Sequence, residues 1–230
     1  MDIIFHDEIN STQTLAKQML QDGKISKNTL IYTQNQTSGF GRKNNAWHHS
    51  KGNLAMSFIV KIDELPYPYS IICGYIVANV LEKYNIDVKI KWPNDLMLND
   101  GKLGGIITTI ENYGNNKYCI FGIGINLVAN PDISEYKTVN IKNICKKEIN
   151  FQDLAKEISE NIYNAINLNQ LNNIIQNINN IAYKIGEKCE YMNNIYTFLK
   201  IATNGNAILI DKLDKEVIVA ETQNSINFNI

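Results

Sequence analysis

Residues 91–105 read KWPNDLMLNDGKLGG, and the side chains in that run able to do chemistry are Lys91, Asn94, Asp95 and Lys102. Two cations, a carboxylate and an amide so close together suit a ligand that carries negative charge and hydrogen-bonding edges. Val88 to Lys91 alternates as a half-buried strand does, and Pro93 ends it because proline brings no amide hydrogen to a ladder. Asn94 and Asp95 therefore stand at a strand end. Leu96 to Asn99 resumes an extended pattern, and Asn99-Asp100-Gly101 signals a turn because these residues tolerate positive φ. A regular hairpin brings Lys102 back beside Trp92 to Asp95. Gly104 and Gly105 then leave the returning strand bare enough for another group to approach its backbone. A solvated hairpin with a chance glycine pair accounts for Lys102 alone, but not for the whole run.

A second polar stretch, QTSGFGRKNNAWHHSKGNL from Gln36 to Leu54, has the length and glycine content of lids and binding loops. Gly39 and Gly41 permit close approach of backbone to a phosphate, and Arg42 adds a permanent cation with a planar donor fork. Trp47 reads as a hydrophobic plug for the loop. His48 and His49 are adjacent and without other evident ligands, so they are read as exposed or hydrogen-bonded and no metal site is expected. Ser11-Thr12-Gln13 reads first as a helix cap. Asn126 ends the apolar run from Tyr118 to Ile125.

These residues need elements to hold them. Ile3 to Phe5 is a short strand, and Ser11 or Thr12 caps a helix whose Leu15, Met19 and Leu20 share a face until Gly23 ends it. Leu30 to Thr33 and Leu54 to Val60 read as strands, and Pro66 to Tyr84 as a helix with Ile72, Ile76 and Val80 at compatible spacing. Ile106 to Ile110 continues the returning strand. Residues 151–181 repeat apolar positions at helical spacing, among them Phe151, Leu154, Ile158 and Ile162, with a break expected in the asparagine-rich section. From about Tyr183 the texture changes to short alternating segments around the turn Asn204-Gly205-Asn206, which predicts a small β-barrel. The expected division is a domain over 1–182 and a smaller one over 183–230.

Composition narrows the classes. A chain of 230 residues with 44% hydrophobic content can bury a sizeable core. Twenty-two Lys plus Arg against 23 Asp plus Glu give a formal charge of −1, which argues against a broad nucleic-acid or membrane footprint. Cys73, Cys119, Cys145 and Cys189 form no CxxC pair, so neither a zinc site nor a disulfide framework is expected and a reducing cytoplasm fits best. The N-terminus MDIIFHDEINST shows no secretory pattern, and no stretch approaches transmembrane length.

Lys91-Trp92-Pro93-Asn94-Asp95, followed by a turn and Lys102-Leu103-Gly104-Gly105-Ile106, resembles the signature of the biotin protein ligases. Ser11-Thr12-Gln13 is similar to that family's Ser-Thr-Asn motif. Gln36, Gly39, Gly41, Arg42 and Trp47 match its loop, close to GRGRxGRxW, and Asn126 matches its Gly-Ile-Asn. The departures are Gln13 for asparagine, Phe40 for the first loop arginine, Asn44 and Asn45 for a Gly-Arg pair, and His49-Ser50 for Ser-Pro. The resemblance implies an α+β fold: a central mixed or antiparallel sheet with flanking helices, like a class II synthetase, plus a small C-terminal Src-homology-3-like β-barrel. It implies that biotin and ATP form biotinyl-AMP and pyrophosphate, with Mg2+ accompanying ATP, before biotin passes to a lysine of a biotin carboxyl carrier protein. Arg42, Lys102, Lys91 and Asp95 are the catalytic candidates it gives. Biotin would be met by Ser11, Thr12, Gln13, Gln36, Phe40, Gly41, Arg42, Lys102, Gly104 and Gly105, and the adenylate by Gly39, Arg42, Trp47, Asn94 and Asn126.

No nucleic-acid partner is expected, because the chain begins too close to Ser11 for the helix-turn-helix that some members carry, and the near-neutral charge likewise leaves no membrane partner expected. The resemblance makes a homodimer through the central sheet a reasonable assembly, which the sequence alone does not decide. The rival readings are a lipoate ligase or octanoyl transferase, and a non-catalytic biotin binder or sensor, which Phe40, Asn44 and Asn45 keep open.

Overall fold

The computed structural model describes residues 1–63, 67–145, 149–220 and 226–228. In chain order its first half holds β1 (Asp2–His6), α1 (Thr12–Gln21), β2 (Thr29–Thr33), β3 (Gly39–Phe40), β4 (Ala46–Trp47), β5 (Leu54–Ile62) and α2 (Tyr69–Glu82). The sheet is completed by β6 (Lys89–Lys91), β7 (Asp95–Leu98), β8 (Gly101–Tyr113) and β9 (Asn116–Ile125). Helices α3 (Phe151–Asn167) and α4 (Leu171–Asn177) follow, then β10 (Lys188–Tyr191), β11 (Asn194–Ile201), β12 (Ala207–Ile210) and β13 (Glu216–Val219).

Seven strands form the main sheet in the order β1-β2-β5-β9-β8-β7-β6. All its pairings are antiparallel except β1 with β2, so the sheet is mixed, as expected. The buried run Leu54 to Val60 follows from a central place between two covered faces, where alternation gives way to continuous hydrophobicity. On one face α1 packs Ala16 and Leu20 against Ile31, Ile59 and Ile120. On the other, α2 is buried along almost its whole length between the sheet and α3, which is why its apolar residues do not keep to one stripe.

Local chemistry sets the element ends. Ser11 is the cap of α1, its side chain accepting from the Thr14 amide at 3.3 Å, and Gly23 beyond the helix takes φ +68°. Helix α2 is shorter than the expected Pro66 to Tyr84: Tyr84 lies past its end, and Pro66 lies outside the described residues. The helical stretch 151–181 is interrupted at Asn169, whose φ of +52° breaks the α conformation between α3 and α4.

The C-terminal strands form a sheet of their own. Among the described residues they form an open antiparallel sheet in the order β10-β11-β12-β13, and no pairing of β13 with β10 closes it into a barrel. Phe198, Leu209, Ala207 and Val219 belong to the same continuous core as the main sheet's second face. Bonds tie this sheet and the segment just before it to the hairpin region. The buried Trp92 indole donates to the Gly205 carbonyl at 2.8 Å, and the Tyr183 hydroxyl donates to Asp100 Oδ1 at 2.7 Å. No helix among the described residues is long and apolar enough to cross a membrane.

Candidate functional site

The α1 face of the sheet is bare where β8 and β9 meet, because Gly105 lies opposite Gly124 and Gly122 lies opposite Ile107. Those glycines answer to close approach. A Cβ at Gly124 would come within 2.6 Å of the Trp47 ring, and one at Gly122 within 2.6 Å of Gln13 Oε1. Over this bare floor the loop from Gln36 to Asn53 folds as the small β3–β4 hairpin, with Gly39 opposite Trp47. Between loop and sheet lies a cavity of about 500 Å³.

One end of the cavity is neutral and hydrogen-bonding. Gln36 Oε1 accepts from the Thr12 amide at 2.9 Å, and the Ser57 hydroxyl lies 2.9 Å from Gln13 Oε1 and 3.0 Å from Thr12 Oγ1. Gln13 Nε2 donates to Thr109 Oγ1 at 3.0 Å and to the Ile120 carbonyl at 3.2 Å. The extra methylene of Gln13 over asparagine therefore carries its amide nitrogen across to β8 and β9, while its oxygen is satisfied by Ser57 on β5. A buried carboxamide left without those partners would cost about 1–3 kcal/mol per group.

The other end is charged. Lys102 Nζ lies 2.8 Å from Asp95 Oδ1, 5.7 Å from the centre of the Trp47 ring and 5.2 Å from that of Tyr136. Arg42 Nη1 reaches Asn94 Oδ1 at 3.5 Å, while Asn94 Nδ2 donates to the Ile106 carbonyl at 2.8 Å and the Ile106 amide donates back to the Asn94 carbonyl at 2.9 Å. Asn94 thus locks the bend after Pro93 to β8 and presents its oxygen to the arginine.

Ser11, Thr12, Gln13, Gln36, Phe40, Gly41, Arg42, Trp47, Asn94, Asp95, Lys102 and Gly105 all line this one cavity. Four other candidates do not. A Cβ at Gly39 would run into the Gln36 amide, and one at Gly104 into the Gly124 carbonyl oxygen, so the first glycine serves packing within the loop and the second packing within the sheet. Asn126 accepts from Asn53 Nδ2 at 3.2 Å and donates to the Lys102 carbonyl at 3.4 Å, joining the end of β9 to the start of β5 and β8. Lys91 sits opposite Asp95 in the β6–β7 register, outside the cavity. Burial pulls its ammonium below the ordinary lysine value, Lys102 and Lys184 add to this, and Asp95 opposes it.

Several residues of the site escaped sequence reasoning. Ser57 lay inside an apolar run, and the alternation Gly122-Ile123-Gly124 was the signal of a bare strand face. Ile133, Glu135 and Tyr136 line the cavity from a segment with no periodicity. That segment runs beside β8, with the Lys102 amide donating to the Lys137 carbonyl at 2.9 Å and the Val139 amide to the Lys102 carbonyl at 3.1 Å.

Residues 5–126 match the model of the Biotin/lipoate A/B protein ligase family. The bifunctional ligase/repressor BirA of Bacillus subtilis (strain 168) is 33% identical over 136 residues, covering 56% of this chain and 42% of that protein. Biotin–protein ligase 2 of Arabidopsis thaliana is 31% identical over 154 residues, covering 62% of this chain and 45% of that protein. The matched stretch thus spans less than half the length of these relatives. Among solved structures, the biotin protein ligase from Aquifex aeolicus in complex with biotin and ATP is similar at a TM-score of 0.76 and 24% identity, covering 96% of this chain and 97% of that one. The biotin protein ligase from Leishmania major in complex with biotinyl-5-AMP is similar at a TM-score of 0.69 and 24% identity, covering 95% and 98%. The fold is that of a ligase catalytic domain, with a mixed sheet and flanking helices. The chain belongs to the Biotin/lipoate A/B protein ligase family.

Proposed function

We propose that the chain is a biotin protein ligase, which joins biotin to ATP as biotinyl-AMP and then transfers biotin to a lysine of a carboxyl carrier protein. One observation carries this reading: a single trough runs from a neutral hydrogen-bonding end at Thr12, Gln13, Gln36 and Ser57 to a cationic end at Arg42 and Lys102. A ureido ring, a donor and acceptor in one, suits the first end, and a carboxylate meeting a phosphate suits the second.

In the first step a biotin carboxylate oxygen attacks the α-phosphorus, a new O–P bond forms and pyrophosphate leaves. Arg42 and Lys102 offset the repulsion between the two anions and stabilise charge that grows on the phosphoryl oxygens. Asp95, already held by Lys102, acts as a positioning carboxylate. Trp47 and its loop cover the floor and keep water from the mixed anhydride. In the second step the carrier lysine, with an ordinary pKa of about 10.4, attacks the acyl carbon as the neutral amine and AMP leaves.

Magnesium would travel with the triphosphate. Asp95 and Glu135 are the carboxylates lining the cavity, and among the described residues no group of three or more His, Cys, Asp or Glu gathers to hold a metal alone. The unpaired state of all four cysteines fits a reducing, cytoplasmic setting. For the unit over 183–230 we infer a barrel-like curl, supported by the antiparallel bridge from Asn227 to Glu190 on β10, at the edge of the sheet away from β13.

A lipoyl or octanoyl chain brings no polar edge to the Thr12–Gln36 end, which favours biotin over the rival acyl groups. The deciding experiment is ATP–pyrophosphate exchange with biotin, lipoate or octanoate as the acid, followed by transfer to a carrier domain. Exchange that responds to lipoate and not to biotin would overturn the reading.

A further inference from the structure

We propose that Tyr136 is a positioning residue for Lys102, an assignment that rests on the ligase reading of the site. Lys102 has a long, flexible stem, yet its ammonium is bounded by the Asp95 carboxylate at 2.8 Å and by the rings of Trp47 and Tyr136 at 5.7 and 5.2 Å. The cavity is the direction left open to it.

The tyrosine's own contacts do not explain its place, since 37% of the residue is exposed. Its backbone does. Residues 137–139 run alongside the start of β8, fixed by bonds on both sides of Lys102, and the Thr138 hydroxyl donates to the Pro131 carbonyl at 2.9 Å, closing the strap that presents Tyr136. A Cβ at Gly101 would run into Val139, so this strap is packed directly on the hairpin turn.

The face of an aromatic ring attracts a cation and costs little entropy to hold, so two rings and a carboxylate restrict the lysine before any substrate arrives. A cation fixed in advance stabilises developing phosphoryl charge without having to reorganise during the reaction. The strap and the Gln36–Asn53 loop meet at this one ammonium, each contributing one ring.

The test compares Tyr136→Leu and Tyr136→Phe in the full chain by biotin-dependent ATP–pyrophosphate exchange, with thermal melts of both. Tyr136→Leu is expected to lower kcat about tenfold, equivalent to about 1.4 kcal/mol, with KM for biotin changed by less than about twofold. Tyr136→Phe keeps the ring and is expected to restore kcat to within about twofold of the unaltered chain. A merely structural role would not give a loss confined to kcat and rescued by phenylalanine. Wild-type kcat in Tyr136→Leu, equal impairment in both variants, or a loss lying wholly in KM would each overturn the assignment. Failure of the unaltered chain to support exchange would instead overturn the ligase reading, and this assignment with it.

Discussion

Asp95 and Lys102 face each other across the β7–β8 hairpin with Oδ1 and Nζ 2.8 Å apart, so the two charges that line the cavity there are paired with each other. Each side chain is about one fifth exposed, at 23% and 19%, which makes the pair a shielded one rather than a surface ion pair. Replacing Lys102 by alanine should leave the fold intact and lower biotinyl-AMP formation by about a hundredfold or more. Asp95→Asn keeps the shape, frees the lysine and should cost about tenfold. Chromatographic measurement of the adenylate checks both, and unchanged adenylation in a folded Lys102→Ala protein would remove Lys102 from the reaction.

Arg42 is the cation that the loop brings to the cavity, where it meets Asn94 on β8's flank. Arg42→Gly should preserve folding and weaken retention of the intermediate, so that biotinyl-AMP escapes and labels lysines of an unrelated protein. Incubation with biotin, ATP and a bystander, probed for biotin on the bystander, is the check. A variant that makes adenylate normally and leaves the bystander unlabelled would remove the retention role.

The adjacent glycines of β8 should respond differently to one added methyl group. Gly104→Ala drives its Cβ into the backbone of Gly124 and should destabilise the sheet by about 1–3 kcal/mol, read as a lower denaturation midpoint. At Gly105 the nearest atom would be a Trp47 ring carbon at 3.3 Å, followed by Asp95 Oδ1 at 3.7 Å, so Gly105→Ala should spare stability and weaken biotin binding. Calorimetric titration with biotin separates the two cases.

His49 anchors the loop through Nε2, 3.1 Å from the Gln34 carbonyl. Burial holds its pKa below the ordinary value, with the Gln34 bond opposing. The unfolded chain therefore binds the proton first as pH falls through about 6.5, and folding stability should decline over that window and be fully present above it. Urea denaturation at pH 5 and pH 8 should show this slope in the unaltered chain and a smaller one in His49→Gln.

The Trp47 indole nitrogen is buried without a hydrogen-bond partner among the described residues. An unpaired buried donor costs about 1–3 kcal/mol, which favours rearrangement of the loop when a ligand supplies contacts. Amide exchange across residues 37–53 should slow when biotin and ATP are added together. Equal exchange with and without ligands would count against a closing loop.

The hairpin was legible because proline, Asn-Asp-Gly and the paired glycines each impose a backbone geometry, and the structure places Lys102 where that grammar put it. The return of Ser11 to Gln13 to the same cavity was legible only by resemblance, since a helix cap has the same spelling. Lys91, a catalytic candidate by resemblance, lies outside the cavity, because alternation tells which face a side chain takes, not how far the bend at Pro93 carries it from its neighbours. Nothing local marked residues 129–139, whose position is fixed by backbone bonds to Lys102 rather than by any pattern of their own. The parallel pairing of β1 with β2 likewise depends on where α1 returns the chain, which short apolar runs do not encode.

The bond from the Trp92 indole to Gly205 spans 113 positions of sequence, and it matters for the order in which the protein is made. The ribosome releases Trp92 well before its acceptor, by roughly 6–23 s at about 5–20 residues per second. Through that interval the nascent hairpin has its lysines and carboxylate but an indole N–H with no carbonyl to receive it. The indole bond of Trp92, two residues before Asn94, is completed by the turn Asn204-Gly205-Asn206, so the finished hairpin region includes a contact that only the later part of the chain supplies.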